Sequence, residues 1–235
     1  MKSMSVIGQV EAVLVGKAVP YARGADSAID KHGVTGPQQV SFVGLVDDEQ
    51  GDKRIHGGVE KALHIYPREH YAAWQRELGE KPVFDNAGAF GENISARGVT
   101  EHTVCLHDKV RIGSTLLEVS QGRLPCWKLN IRFDQPDMAL KLQETLRTGW
   151  YFRVLEEGVI AQGDAIELVE RPYPAWPLSR ILEVIFSGSL DEAALRPLLS
   201  LPLVDSWRKV VERRLDNQQL EDWEPRLFGR QKMVK

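Results

Sequence analysis

"WYFRVLEEGVIAQGDAIELVER", Trp150 to Arg171, is the stretch that decides the fold class. Runs of aromatic, β-branched and aliphatic residues are interrupted at Glu157-Gly158 and Gly163-Asp164, dipeptides suited to turns. The stretch reads as strands around glycine turns. The same grammar recurs upstream. "DKVRIGSTLLEVS" (108–120) reads as a hairpin turning at Gly113-Ser114. "KALHIYP" (61–67) is an apolar run stopped by Pro67, and "QVSFVGLV" (39–46) is another. "IGQVEAVLVG" (7–16) carries Val10, Ala12 and Leu14 in alternation, the period of a half-buried strand. Two helices break the series. In "REHYAAWQRELG" (68–79), Tyr71, Trp74 and Leu78 fall at helical spacing and Gly79 suits a C-cap. "PDMALKLQETLRTG" (136–149) opens on proline and closes on glycine. Many short strands with glycine turns predict a mainly β chain rolled into a barrel.

"RPYPAWPLS" (171–179) ends that pattern, with prolines at 172, 174 and 177 marking a linker. Leu178, Ile181, Leu182 and Ile185 then follow the i, i+3, i+4, i+7 spacing of a helix. "LDEAALRPLLSLP" and "LVDSWRKVVERRLDNQQL" give two more, the first short or kinked by Pro197. The expected organisation is a β-barrel domain over 1–172 and a three-helix bundle over 177–235.

The 235-residue chain is long enough to bury a core without covalent staples. With 27% charged residues and a net charge of −3, it has no basic excess to drive nucleic-acid binding. The N-terminal "MKSMSVIGQVEAVLVG" lacks a signal-peptide core, and no 18-residue apolar run occurs. The expectation is a cytoplasmic protein with neither nucleic acid nor membrane as partner. Its two cysteines, Cys105 and Cys126, lie far apart with no CxxC, which excludes a zinc ribbon, a thioredoxin-like site and a four-thiolate iron–sulfur cluster. HExxH, Walker A, GxGxxG and GxSxG are all absent.

The chemistry-bearing residues fall in four short segments. Cys126, in "SQGRLPCWKLN", follows a turn forced by Gly122 and Pro125 and precedes a helical turn. Backbone N–H groups and the charges of Arg123 and Lys128 favour its thiolate. The alternative is a half-buried cysteine packing as a small hydrophobe. Cys105 alternates with Val104 and Leu106 on an apparent strand, a structural pattern. In "GDKRIHGGVEKALHIY", the glycines after His56 allow a backbone anion nest, with Arg54 and Lys61 as countercharge, or simply a turn. "FGENIS" offers Glu92 and Asn93 either to a local turn or to a ligand. Arg153, on a strand after Thr148-Gly149, is either ion-paired or an anion binder.

In that order, "HGGVEKALHIY", "FGENIS", "GRLPCWKL" and "TGWYFRV…GVIAQGD" resemble the motifs of MOSC domains, relatives of the C-terminal part of molybdenum-cofactor sulfurase. The helical tail resembles the 3-alpha extension of the YiiM branch. The resemblance spans nearly the whole chain and implies a MOSC-type β-barrel with a few helices, followed by a small three-helix bundle. It implies a molybdenum cofactor (molybdopterin), with Cys126 as the catalytic thiolate and molybdenum ligand. His56, Gly57, Gly58 and Lys61 would lie near that cofactor, with Asn93, Arg123, Lys128 and Arg153 completing the pocket. Similar enzymes reduce N-hydroxylated compounds such as 6-N-hydroxylaminopurine, and so detoxify base analogues. Purified protein can lack the cofactor, because a host pathway delivers it. The chain has no flavin fingerprint, so electrons are expected from an external reductase, and the tail is a candidate docking or homodimer-forming surface. Two alternatives stay open: a cofactor or sulfur carrier with Cys126 as persulfide, and a cysteine–histidine hydrolase. The family often has proline where Gly122 stands, which implies a looser turn here.

Overall fold

The computed structural model describes residues 5–51 and 57–229. The strands are β1 (Ser5–Val15), β2 (Val19–Ala22), β3 (Ala25–Ser27), β4 (His32–Val34), β5 (Gln38–Ser41), β6 (Gly44–Leu45), β7 (Leu63–Pro67), β8 (Ile94–Arg97), β9 (Lys109–Ile112), β10 (Thr115–Gly122), β11 (Trp150–Glu156), β12 (Gly158–Ile160) and β13 (Ala165–Glu170). Seven of them run in the order β13-β9-β10-β11-β7-β8-β1, and β1 pairs back with β13 to close a barrel. Closure leaves these strands no open edge within the ring. All the pairings are antiparallel except β7 with β8. A parallel pair needs a crossover, and the helix α1 (Glu69–Leu78) lies in it. Tyr71 and Trp74 are the face it buries, as their spacing predicts, and Gly79 ends it at φ 78°.

Alternation sorts the strands. Val110, Ile112, Leu117, Val119, Phe152 and Ile166 fill the main apolar cluster at 2% exposure or less. A second cluster lies outside the barrel, where Tyr66 stacks on Phe90 at 3.9 Å and Tyr71, Trp74, Phe84 and Phe133 pack around them. It seats α2 (Lys128–Arg132) and α3 (Met138–Thr145), which contribute Leu129, Met138 and Leu142. The α3 helix stops at Leu146, in left-handed conformation, three residues before the glycine expected to close it.

The chain enters α4 (Leu178–Phe186) through linker bonds to the barrel, Leu106 N to Trp176 O and Leu178 N to Val104 O. Leu178, Ile181, Leu182 and Ile185 are all fully buried and belong to the same cluster as the barrel interior. At residue 122, a Cβ would lie 2.8 Å from Leu182 Cδ2. Glycine here lets α4 approach, and the residue ends β10 paired with Trp150 rather than forming a loose turn. The α5 (Glu192–Leu199) and α6 (Asp205–Asn217) helices follow. From α6, the fully buried Arg214 donates to the Val184 and Ile185 carbonyls at 3.0 and 2.7 Å and pairs with Glu221. A fourth helix, α7 (Glu224–Phe228), returns to the barrel, so the tail has one more element than the three expected. Among the described residues, no helix is long and apolar enough to cross a membrane.

Candidate active site

The backbone leaves β10 at Gly122 and passes through Arg123 to Cys126 before entering α2. Arg123 N donates to Gly149 O (3.0 Å), and its guanidinium donates to Phe90 O (2.7 Å). Gly149, at φ 69°, must lack a side chain, since a Cβ would sit 2.4 Å from Ile65 O. Two anchors therefore fix the approach to Cys126, which is 8% exposed on the wall of a cleft open to solvent, with room inside for about 90 Å³.

Three elements supply cations. Lys128, 7% exposed, donates from Nζ to Asp26 O at 2.5 Å. Lys61 closes the 3-10 turn Val59–Lys61, its N–H bonding Gly58 O, and Gly58 has φ 94°. Burial lowers the Lys61 ammonium from its ordinary value, helped by the charge of Arg226. Lys31 pairs with Asp48, both nearly inaccessible, and burial lowers its ammonium against the pull of that carboxylate. Asn93 supports this pair. Its Nδ2 donates to Asp48 Oδ2 (2.8 Å) and Leu14 O (3.3 Å), while its Oδ1 accepts from His64 N (3.1 Å).

His64 and Tyr151 form the floor, their rings 5.1 Å apart. Burial, with the charge of Arg123, pushes His64 well below the usual imidazole range, so it is neutral. Its Nε2 is buried with no hydrogen-bond partner among the described residues. Burial raises the Tyr151 hydroxyl. No three His, Cys, Asp or Glu side chains among the described residues form a metal cage. A soft sulfur beside several cations suits an anionic, sulfur-ligated metal cofactor.

Residues 52–167 match the family model described as MOSC domain. The Escherichia coli (strain K12) "Protein YiiM" is 38% identical over 219 residues, covering 93% of this chain and 97% of that protein. This chain belongs to the MOSC family. Its MOSC barrel is followed by a match to the YiiM-like, 3-alpha helix domain over residues 176–218. The crystal structure of YiiM from Geobacillus stearothermophilus superposes with a TM-score of 0.75 at 36% identity, covering 88% of this chain and 99% of that one. A protein of Gibberella moniliformis (strain M3125 / FGSC 7600) named "Reductase" is 38% identical over 190 residues, 80% of this MOSC chain but only 34% of that longer protein.

Of the residues singled out in the MOSC motifs, Lys61, Asn93, Arg123, Cys126 and Lys128 share the cleft. His56 and Arg54 lie outside the described residues. Arg153 does not join the cleft. It pairs with Glu60 (2.6 Å) and Glu118 (3.2 Å) and lines, with Gly57, an adjoining groove under α6. Asn93 lines the cleft, but both ends of its amide are committed to the protein. Glu92 is fully buried, with Oε1 accepting from Tyr71 OH (2.5 Å) and Gly88 N (2.8 Å) and Oε2 from Phe90 N (3.1 Å). Two of these bonds close the local 88–92 turn, in keeping with the turn reading, and Tyr71 of α1 adds the third. Cys105 is buried against Pro174 O, in keeping with a structural role. Lys31, Asp48, His64 and Tyr151 went unread in the sequence. The last two lie inside quoted motifs, at positions whose alternation could have exposed them.

Proposed function

We propose that the cleft at Cys126 holds a molybdenum–pterin cofactor and that the protein reduces N-hydroxylated compounds, 6-N-hydroxylaminopurine among them. The observation that carries this reading is one thiol, buried at the wall of a cleft, with Lys61, Arg123 and Lys128 around it. When bound, the cofactor supplies the two-electron chemistry of N–O cleavage, R–NH–OH + 2e⁻ + 2H⁺ → R–NH₂ + H₂O. The Cys126 sulfur contributes a soft metal ligand, and the fixed Arg123–Cys126 backbone sets its direction. Lys61, Arg123 and Lys128 bind the phosphate and orient the group. The Lys31–Asp48–Asn93 network ties that wall together. An external reductase delivers the electrons. The relative named "Reductase" supports the reaction class.

The test is molybdenum and pterin analysis of wild type and Cys126→Ser from a cofactor-producing host, with reduction of an N-hydroxylated purine. Wild type is expected to carry both and to turn over, and the variant to lose metal and activity together. Activity that survives the substitution overturns the ligand role. A Cys126 persulfide on molybdenum-free, inactive wild type replaces the reading with a sulfur carrier.

A further inference from the structure

Both faces of the Cys126 segment are held by one residue from the far end of the chain. Arg226 accepts from Trp127 N at its own carbonyl (2.8 Å). Its guanidinium donates from Nε to Pro125 O (3.2 Å) and from Nη2 to Leu124 O (3.0 Å). The backbone is thus gripped immediately before and after Cys126. A planar guanidinium offers two donors in fixed geometry, which suits adjacent carbonyls. The grip is secured from outside. Asn130 Nδ2 donates to Leu227 O (2.8 Å), Arg23 donates to Phe228 O (2.6 Å), and the Arg23 guanidinium lies 4.8 Å from the Trp127 ring centre. Leu227 is buried at 5% exposure.

Arg226 also acts electrically on the cleft. It is mostly buried, and burial lowers its guanidinium against the pull of Cys126 and Tyr151, with Arg123 adding repulsion. The residue lies beyond both matched segments, 52–167 and 176–218. The helical tail therefore backs the segment that carries the sulfur.

We infer that Arg226 is a positioning residue for Cys126, clamping residues 124–127 so that the thiol is presented to the cleft. Its consequence for turnover rests on the reductase reading; the clamp itself does not. The experiment uses full-length Arg226→Met and Arg226→Lys. The first readout needs no cofactor: amide hydrogen exchange of the peptide covering residues 123–130. Arg226→Met is expected to speed that exchange at least tenfold, with exchange in the β9–β10 hairpin unchanged. Arg226→Lys, which keeps the charge but loses the two-armed grip, gives an intermediate rise and serves if the methionine variant does not fold. The second readout is turnover on an N-hydroxylated purine with molybdenum counted per chain. Arg226→Met is expected to lower kcat at least tenfold with KM within twofold, and Arg226→Lys to recover part of kcat. Unchanged exchange in both variants overturns the clamp. Faster exchange in a protein whose wild type shows no reduction leaves the clamp standing and removes the reductase reading instead.

Discussion

Glu92→Gln is expected to weaken the fold without emptying the cleft. The carboxylate is fully buried and accepts three hydrogen bonds, from Tyr71 OH, Gly88 N and Phe90 N. Glutamine keeps one acceptor oxygen. Placed toward Tyr71 and Gly88, that oxygen retains two bonds but loses their charge assistance, about 1 kcal/mol each. The new NH₂ then faces the Phe90 N–H, donor against donor. A buried amide left unsatisfied costs about 1–3 kcal/mol. The sum is roughly 3–5 kcal/mol, and at about 2–4 °C per kcal/mol in a chain of this size the melting temperature falls on the order of 10 °C. Urea unfolding followed by tryptophan fluorescence measures it, with molybdenum content per folded chain as the companion readout. A loss below about 1 kcal/mol refutes the hydrogen-bond count. Unchanged stability with lost metal would mean instead that Glu92 presents its carboxylate to the cofactor.

Arg123→Met is expected to reduce molybdenum per purified chain at least fivefold, while Arg153→Met leaves it within twofold; equal losses would undo the separation of the two arginines. Burial alone would raise the Glu118 carboxyl, but the hydrogen bond and charge of His107 and the charge of Arg153 outweigh it and hold it below its ordinary 4.5. A depressed carboxyl stabilises the fold above that value and loses the contribution as pH falls through the folded pKa. The stability gap between wild type and Glu118→Gln should thus be present at pH 7 and close below pH 4.5, and a gap constant with pH contradicts it. Leu182→Ala, at a fully buried contact between α4 and the end of β10, should cost about 2–5 kcal/mol. Calorimetry should show one shared transition, and separate melting of the helical tail would deny the common core.

Local patterns were legible. The 3.6-residue spacing of Leu178, Ile181, Leu182 and Ile185 needs no partner to be read, and all four are buried. Pairing was less legible, because a turn signal marks a change of direction and not the next neighbour. Glu157-Gly158 looks like a hairpin turn, yet β12 leaves β11 to pair with β5. "QVSFVGLV" looks like one strand but folds as β5 and β6 around an exposed Phe42-Val43 tip. Arg226 carried no local signal at all, since its partners lie about a hundred residues earlier.

The site itself is a product of register. Gly122 pairs with Trp150, and Trp150 with Ile65, so the end of β10 emerges in one row with β11 and β7. Tyr151 stands opposite His64 one step along. Side chains alternate between faces, so Trp150, Phe152 and Ile65 enter the barrel core while Tyr151 and His64 take the other face, beside the Cys126 loop. Arg153 shares Tyr151's face but lies two residues further on, about 6–7 Å away. That displacement carries it past the cleft to Glu60 and Glu118. A one-residue slip of β11 would turn Tyr151 inward and Trp150 outward. The apolar demand of the barrel for Trp150 and Phe152 therefore also holds Tyr151 at the cleft, and core packing and site geometry are fixed by the same alternation.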